Sequence, residues 1–487
     1  MPRDPIALAT LAAAVSGQVV GDGAAPVSDV RHDSRAAGPG DLFVAVRGLR
    51  TDGHRFLTAA VAAGAVAVCV ERAVPGAGAP QLVVADTRAA LGPLAALVHG
   101  DPSHRLPVVG VTGTNGKTTV THLLEAIAAA AGLRPGVIGT LGARLDGRPV
   151  PLARTTPEAS DLQRMLARMA DEGVALVAME VSSHALALRR VDATRFRVAA
   201  FTNLTQDHLD FHGDMDAYFA AKAGLFDPGR AADAVVWVDD PWGRRLLNHE
   251  LGGAATTAGW DDADVTARDV VLGPGGARFR LVTPAGGVPV TLALAGRFNV
   301  ANAVVAAACA HVLGVPLQAI AAGLAAVERI PGRFERISPA GGGPVVVVDY
   351  AHTPAGIAAA VAAGRELAAG RVIVVAGAGG DRDRDKRAAM GAAAAAADVA
   401  VITSDNPRTE PPAAIVAAVA AGARAAGGGE VVEIVDRRAA IAAAVAGAGD
   451  EDLVLILGKG HETGQDLGDR VIPFDDRDEA REALQAR

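Results

Sequence analysis

Lysine is nearly missing from this chain of 487 residues: of its 46 basic side chains, only Lys117, Lys222, Lys386 and Lys459 are lysine. Where positive charge alone suffices the chain uses arginine, so the four lysines mark candidate positions at which a guanidinium cannot serve. Cysteine is as scarce. Cys69 and Cys309 stand far apart and lack metal-type spacing, which excludes a disulfide framework and fits a reducing cytosol. Aromatics make up 3% of the residues, so Ala, Val and Leu must fill the cores. The net charge of −8 argues against a general nucleic-acid or membrane-surface binder. No apolar run is continuous enough to span a membrane. The run at 6–15 mimics a signal-peptide core, but its flank, Arg3-Asp4-Pro5, is not clearly cationic. Asp4-Pro5 reads instead as a helix cap followed by proline in the first turn.

What is present is apolar material for about three domains, half of the chain being hydrophobic. The stretch that organises it is Gly113-Thr114-Asn115-Gly116-Lys117-Thr118-Thr119. It follows the apolar run Val108-Val109-Gly110-Val111 and precedes a helical run at 120–131. In the order strand, glycine loop, helix, backbone N–H groups turn inward around an anion and the helix start adds its positive end. Lys117 is expected to reach the β- and γ-phosphates of a nucleotide, and Thr118 to offer a hydroxyl to Mg²⁺. The full Walker pattern asks for glycine at position 111. This chain has Val111, with Gly110 one place early.

Residues 1–105 read as a small α/β domain, with strands at 42–46, 66–70 and 82–84 and helices at 6–15 and 56–63. Pro102 and Pro107 bracket a linker. From 106 to 332 strand and helix alternate. Thr156 is a candidate cap with Pro157 at the first helical position, the helix running to about Asp171. A buried strand at 174–181 carries Glu180 towards its carboxyl end, where ligands of parallel sheets gather. The strand at 198–202 leads into residues 203–212, whose two Asp and two His read as a metal or phosphate constellation or as a polar loop. A helix at 215–226 carries Lys222. Ile330-Pro331-Gly332-Arg333 reads as a boundary, after which 333–487 repeats the α/β rhythm. Gly377-Ala378-Gly379-Gly380 has the wrong spacing for a dinucleotide fingerprint, so no NAD site is expected.

Taken together these stretches resemble the Mur ligases, ATP-dependent amide-forming enzymes of cell-wall precursor synthesis, over nearly the whole chain and in the same order. The resemblance rests on the glycine loop, Met179-Glu180-Val181-Ser182-Ser183-His184, residues 203–212 and 218–226, Asp349-Tyr350-Ala351-His352-Thr353-Pro354 and Gly458-Lys459-Gly460-His461-Glu462. Within the family, Asp405-Asn406-Pro407-Arg408 is similar to the signature of members that add diaminopimelate to UDP-N-acetylmuramoyl-L-alanyl-D-glutamate. The resemblance implies three α/β domains: a small UDP-sugar-binding domain (1–105), a central P-loop-type ATPase domain with a mostly parallel sheet (106–332) and a Rossmann-like amino-acid-binding domain (333–487). It implies that His32, Ser34, Leu49, Arg50, Thr51, Thr155, Thr156, Ser182 and Arg190 bind the UDP-sugar dipeptide. Leu188 stands where a glutamine is usual. Gly113 to Thr119, Asn302, Arg333 and Asp349 are implied to bind ATP. Two Mg²⁺ would involve Thr118, Glu180, His208 and Lys222, and Lys222 matches a lysine that is carbamylated in the family. Lys117, Glu180, His208 and Lys222 would form the catalytic set. Arg382, Asp405, Asn406, Pro407, Arg408, Gly458 and Glu462 would bind diaminopimelate. A cytoplasmic monomer acting on small molecules, with neither nucleic acid nor membrane as partner, is expected.

Chemistry gives reasons for these residue types. A carboxylate acylates poorly because its leaving group is oxide; phosphorylation by ATP makes an acyl phosphate that an amine can attack. The transfer needs positioning and positive charge. Arg408 suits a carboxylate, which it can clamp with two parallel bonds, and Glu462 an ammonium. Diaminopimelate has both at its far end, whereas lysine has only the ammonium. Two other readings stay open: a folylpolyglutamate synthase or another Mur ligase, and a nucleotide-binding switch or scaffold in which Glu180, His208 and Lys222 are structural. Phosphate release that depends on both sugar nucleotide and amino acid separates them.

Overall fold

Short valine-rich runs bounded by glycine or polar loops become the strands of three main sheets in the computed structural model, which describes residues 4–48, 51–273, 275–337 and 343–487. The first sheet has the strand order Gln18–Val20, Gln81–Val83, Ala67–Val70, Asp41–Val44, Asp29–Arg31, and only its first pair is antiparallel. The expected cap at Asp4-Pro5 is not what starts the first helix. Ile6–Ala7 is extended and pairs with Pro26–Val27, and the helix is Leu8–Ala14. Its first donors, Leu8 N and Ala9 N, bond to the carbonyls of Ala25 and Gly23 at 3.0 and 2.9 Å, so no side-chain cap is required.

The helix Thr87–Val98 carries Pro93 inside it and had no counterpart in the sequence reading. Gly92 explains its placement: a Cβ there would come within 2.5 Å of the Asp192 carbonyl, so the helix packs directly on the central unit. The stretch between Pro102 and Pro107 is a one-turn helix, Pro102–Arg105, rather than a slack linker. Ser103 is buried and its hydroxyl accepts from Arg195 N at 3.0 Å. Asp29 accepts from Arg164 Nε at 2.9 Å across the same junction.

Eleven strands form the central sheet. Val108–Thr112 lies in its middle, between Leu176–Glu180 and Phe196–Phe201, both parallel to it. All five of its residues are buried, as a strand covered on both faces requires. Gly110 is a packing residue: a Cβ would sit 2.6 Å from the Phe196 ring. The phosphate-type turn therefore begins at Gly113, and Val111 does not disturb it. Thr156 is not a helix cap. The helix is Ala159–Asp171 with Glu158 before it, because the Thr156 hydroxyl is taken by the Glu180 carbonyl at 2.9 Å. At the far edge Val265–Gly273, Gly276–Thr283 and Gly286–Leu292 form antiparallel hairpins where no element was expected.

The third sheet runs Glu335–Ile337, Val345–Asp349, Leu453–Leu457, Val372–Ala376, Val399–Ile402, Glu430–Glu433, parallel except for the first pair. Beneath its loops lies a fully buried ion pair. Arg437 donates to Asp476 from Nε and Nη2 at 2.8 and 2.7 Å, and to the carbonyls of Leu457 and Ser404 at 2.9 and 3.3 Å. Those carbonyls immediately precede Gly458 and Asp405. Removing one partner leaves an unpaired buried charge, so Arg437→Ala is expected to lose about 3–5 kcal/mol of stability. Denaturant unfolding checks this; Arg437→Ala and Asp476→Ala combined should cost much less than their sum.

Candidate functional site

The glycine loop is held from behind by the strand beside it. Thr114 N donates to Asn203 O at 2.9 Å, Asn115 N to Asn203 Oδ1 at 3.0 Å, and Thr202 Oγ1 to Asn115 O at 2.6 Å. Gly116 has φ +89°, and a Cβ there would overlap the Asn302 amide, so this position needs glycine on both counts. The helix Lys117–Ala130 starts at the loop's end. Lys117 Nζ folds back onto the carbonyls of Gly113 and Thr114, both at 2.8 Å. Lys222 Nζ reaches the same Gly113 carbonyl at 2.9 Å. Burial, reinforced by the charge of Lys117, drives the Lys222 amine well below the ordinary lysine range. Burial lowers Lys117 too.

Glu180 ends its strand almost fully buried and accepts three bonds besides: from Thr118 Oγ1 at 3.0 Å, Thr140 N at 2.8 Å and Thr140 Oγ1 at 3.0 Å. Arg333 Nη2 touches Thr118 Oγ1 at 3.0 Å, and its guanidinium lies over the Tyr350 ring at 4.4 Å. The structure thus brings Thr118 and Glu180 together. His208 and Lys222 make their contacts elsewhere, on Asp207 and on Gly113. Among the described residues no group of three or more His, Cys, Asp or Glu gathers as a metal cage. A hydroxyl and a carboxylate side by side suit Mg²⁺ nonetheless, since that ion takes one or two carboxylates and completes its shell with phosphate and water.

Residues 203–212 prove to be an imidazole-rich junction. His208 lies 3.3 Å from Asp207 and edge-on to His184, and burial holds it neutral, near pKa 3. Burial likewise lowers His212 to about 4; its Nε2 meets Ser183 Oγ at 2.9 Å. Burial opposes ionisation of Asp207, yet His352, His208 and Lys386 outweigh it and keep the carboxyl far below its usual range. Lys386 Nζ is 3.3 Å from Asp207 and His352 Nε2 is 3.6 Å away, so the carboxylate ties the central unit to the C-terminal one.

A cavity of about 760 Å³ opens in front of the loop, lined by residues 114–119, Thr140, Thr155, Glu180, Ser182, His208, Asn302, Arg333 and Asp349. Asn302, Arg333 and Asp349, far apart in sequence, therefore meet at one site. Asp349 accepts from Phe334 N and Ala351 N at 2.6 and 2.8 Å, and burial raises its carboxyl. The apolar end includes Trp237, Trp260 and Phe298, with Arg297 stacked on Trp260 at 4.2 Å. These residues, and Thr140, Thr202, Tyr350 and Arg437, escaped the sequence reading of the site. Rarity was the available signal for the aromatics, the chain having three Trp and two Tyr.

The residues expected around the sugar nucleotide fall into two groups. Thr155 and Thr156 gather beside Glu180, the former 3.2 Å from Thr140 Oγ1, and the Thr156 hydroxyl is 3.4 Å from Ser182 Oγ. Arg190 pairs with Glu158 at 2.9 Å. His32 and Ser34 lie in loops of the first sheet and do not line the cavity. His32 Nδ1 meets Ser160 Oγ at 2.9 Å, Ser34 opens the turn Ser34–Ala36, and Thr51 is exposed. Leu49 and Arg50 lie outside the described residues. Leu188 ends the short helix Ser183–Ala187, and its carbonyl accepts from Arg88 Nη1 at 3.5 Å.

The residues expected around the amino acid form a second cluster, at the strand ends of the third sheet. Arg408, at φ +51°, donates to Gly380 O at 2.6 Å and faces Asp466 at 3.6 Å. Asn406 Nδ2 donates to Glu462 Oε2 at 2.8 Å. Gly458, at φ +119°, leaves room for Asp405, which a Cβ would overlap. Pro407 is buried and Arg382 exposed. Glu462 also has an internal partner, Lys459 at 3.0 Å. Tyr350 lies between the two sites: it lines the cavity, stands 5.1 Å from His461, and burial with the nearby Glu462 charge pushes its phenol up to about 12.

Comparisons with known proteins agree along the chain. Three family models match: "Mur ligase family, catalytic domain" over residues 26–99, "Mur ligase middle domain" over 111–310, and "Mur ligase, glutamate ligase domain" over 332–460. A Gloeobacter violaceus protein named UDP-N-acetylmuramoyl-L-alanyl-D-glutamate–2,6-diaminopimelate ligase is 46% identical, covering 95% of this chain and 94% of that one. A solved structure of a ligase with the same name superposes with TM-score 0.70 at 32% identity, covering 99% of each chain. A Mycobacterium tuberculosis folylpolyglutamate synthase, solved with ADP and AMPPCP, covers 76% of this chain and 92% of its own, with TM-score 0.63; at 23% identity it shows the shared fold alone. By family models, by close relatives of nearly full length and by fold, the chain belongs to the Mur ligase family.

Proposed function

We propose that this chain joins 2,6-diaminopimelate to UDP-N-acetylmuramoyl-L-alanyl-D-glutamate, with ATP driving amide formation through an acyl phosphate, in peptidoglycan precursor synthesis. The observation that carries this is the meeting of two sites at Tyr350: a cavity walled by the glycine loop, Glu180, Asn302, Arg333 and Asp349, and a cluster holding Arg408, Asn406 and Glu462. One activates a carboxylate and the other presents an amine.

In this reading residues 1–105 hold the UDP end through His32, Ser34 and the loop at 49–51. Thr155, Thr156, Ser182 and Arg190 hold the dipeptide so that its D-glutamyl carboxylate enters the cavity beside the γ-phosphate. Lys117 leaves its resting carbonyls for the phosphates, and Asn302, Arg333 and Asp349 hold the nucleotide. The carboxylate oxygen attacks the γ-phosphorus and ADP leaves. The amine of diaminopimelate then attacks the acyl carbon, phosphate departs, and the amine gives up a proton. Thr118 and Glu180 would hold one Mg²⁺ and His208 would help hold a second, and the ions would supply neutralisation of developing phosphate charge. Neutral His208 keeps a lone pair for such a role. Substrates of this kind put the enzyme in the cytoplasm.

Lys222 fits the carbamate assigned to it, because only the unprotonated amine reacts with carbon dioxide and burial favours that form. A depressed pKa brings deprotonation to less alkaline pH than for an ordinary lysine, and acidification protonates the nitrogen and blocks the modification. Enzyme incubated with ¹³C-bicarbonate near neutral pH should show one carbamate carbon signal, lost in Lys222→Ala and lost on acidification. Lys222→Ala should keep little activity, partly restored by short-chain carboxylates. An unmodified and dispensable Lys222 would remove this assignment.

An amino-acid panel with ATP and the UDP-dipeptide tests the reaction itself. Phosphate release should require both other substrates and should favour diaminopimelate over lysine, by as much as about 10⁴-fold if Arg408 reads the distal carboxylate. Arg408→Ala should raise KM for diaminopimelate and narrow that gap, while Arg408→Lys recovers little, an ammonium being unable to form the bidentate clamp. Equal use of lysine by the unaltered enzyme would sink the substrate assignment. Lys117→Ala should end ATP turnover without unfolding the chain.

A further inference from the structure

Neither the phosphate site nor the proposed carbamate gives a reason for two of the lysines; Lys386 pairs with Asp207, and Lys459 is the other. Its side chain is completely buried. The amine ends between two residues of the amino-acid cluster, donating to Asn406 Oδ1 at 3.0 Å and to Glu462 Oε2 at 3.0 Å. Asn406 closes the triangle by donating from Nδ2 to the same Glu462 oxygen at 2.8 Å, and Asp466 N holds Asn406 Oδ1 at 2.9 Å. The Glu462 side chain stays one-third exposed, so part of its carboxylate is left for a ligand.

The surroundings explain the choice of lysine. A guanidinium is wider, and the loop cannot move aside for it. At Gly460, the next residue, a Cβ would come within 2.7 Å of the Gly332 carbonyl and 2.8 Å of Tyr350 Cβ. The loop is thus pressed against the segment that carries Arg333 and against the Cβ and backbone of Tyr350, the residue between the two sites.

We infer that Lys459 is a positioning and specificity residue of the amino-acid site, acting through Asn406 and Glu462. This rests on the ligase reading above. The amine fixes the asparagine amide and turns one carboxylate oxygen inward. It also offsets the charge of Glu462, so that a lone cationic end gains little there while an end bearing both ammonium and carboxylate can pair with Glu462 and Arg408 together. Without Lys459, Glu462 is an uncompensated anion that welcomes a single ammonium.

The test is the steady-state kinetics of Lys459→Met with diaminopimelate and with lysine. KM for diaminopimelate should rise on the order of tenfold, the scale of one charged hydrogen bond lost. The constants for ATP and the sugar nucleotide should hold, and the preference for diaminopimelate over lysine should fall. Adding Lys459→Met to Glu462→Gln should change the preference little further, because the lysine acts through that carboxylate. Lys459→Arg should not restore it. Equal loss with every substrate, or an unchanged preference, overturns the inference. Folding is read first, by thermal melting and ADP binding; if Lys459→Met does not fold, Lys459→Gln, which retains an N–H donor, carries the comparison, and failure of both to fold makes the lysine a folding residue and overturns the proposal. If the unaltered enzyme turns over some other amino acid, the substrate assignment fails by itself, and Lys459 is judged by the same comparison on that amino acid.

Discussion

Two amines share one carbonyl. Lys117 and Lys222 both end on the Gly113 oxygen, in a place where water cannot spread their charge. Two ammonium groups that close in a poorly screened site repel each other strongly, and the more buried one yields. The division of labour follows. Lys117 stands at the helix start next to the cavity and can swing to a phosphate, whereas Lys222 is packed against the Tyr218 ring at 4.7 Å and its pKa is driven down by burial. The strand order, the positive-φ glycines and the bonds from Thr202 and Asn203 serve to keep that carbonyl in place.

Strands buried on both faces were legible because they read as unbroken apolar runs; Val372–Ala376 and Leu453–Leu457 lie where valine and leucine alone put them. The glycine loop, Glu180 at its strand end and the Asp405 to Arg408 loop were legible in position for a related reason: polar or glycine residues mark where such apolar runs stop. The antiparallel hairpins at 265–292 were not. Their strands are half exposed, with Arg278 and Arg280 on the outer face, and small residues blur the alternation. Two helix starts were misread because tertiary partners took the roles assigned to local caps. Ala25 and Gly23 accept from the first helix, and the Glu180 carbonyl captures Thr156. Arg437 gave no local sign, since its partners Asp476, Leu457 and Ser404 are distant in sequence.

The units meet through charge and close backbone contact as well as through apolar contacts such as Phe298 on Phe334. Arg333 reaches Thr118 across the cavity, Lys386 and His352 converge on Asp207, and Gly332 lies against Gly460 with no space for a side chain between them. Directional contacts of this kind hold groups in register for a reaction that needs three substrates at once, and they can break and re-form as a unit moves.

The arginine-for-lysine bias leaves this protein with an unusual surface. Lys222, Lys386 and Lys459 are buried and Lys117 is half-buried, so no exposed lysine amine remains on the folded chain. A lysine-specific protease has few bonds to attack until the fold opens, and an acylating reagent meets side-chain amines chiefly inside the cleft. Amine chemistry, which on most proteins reports on the outside, reports here on the inside.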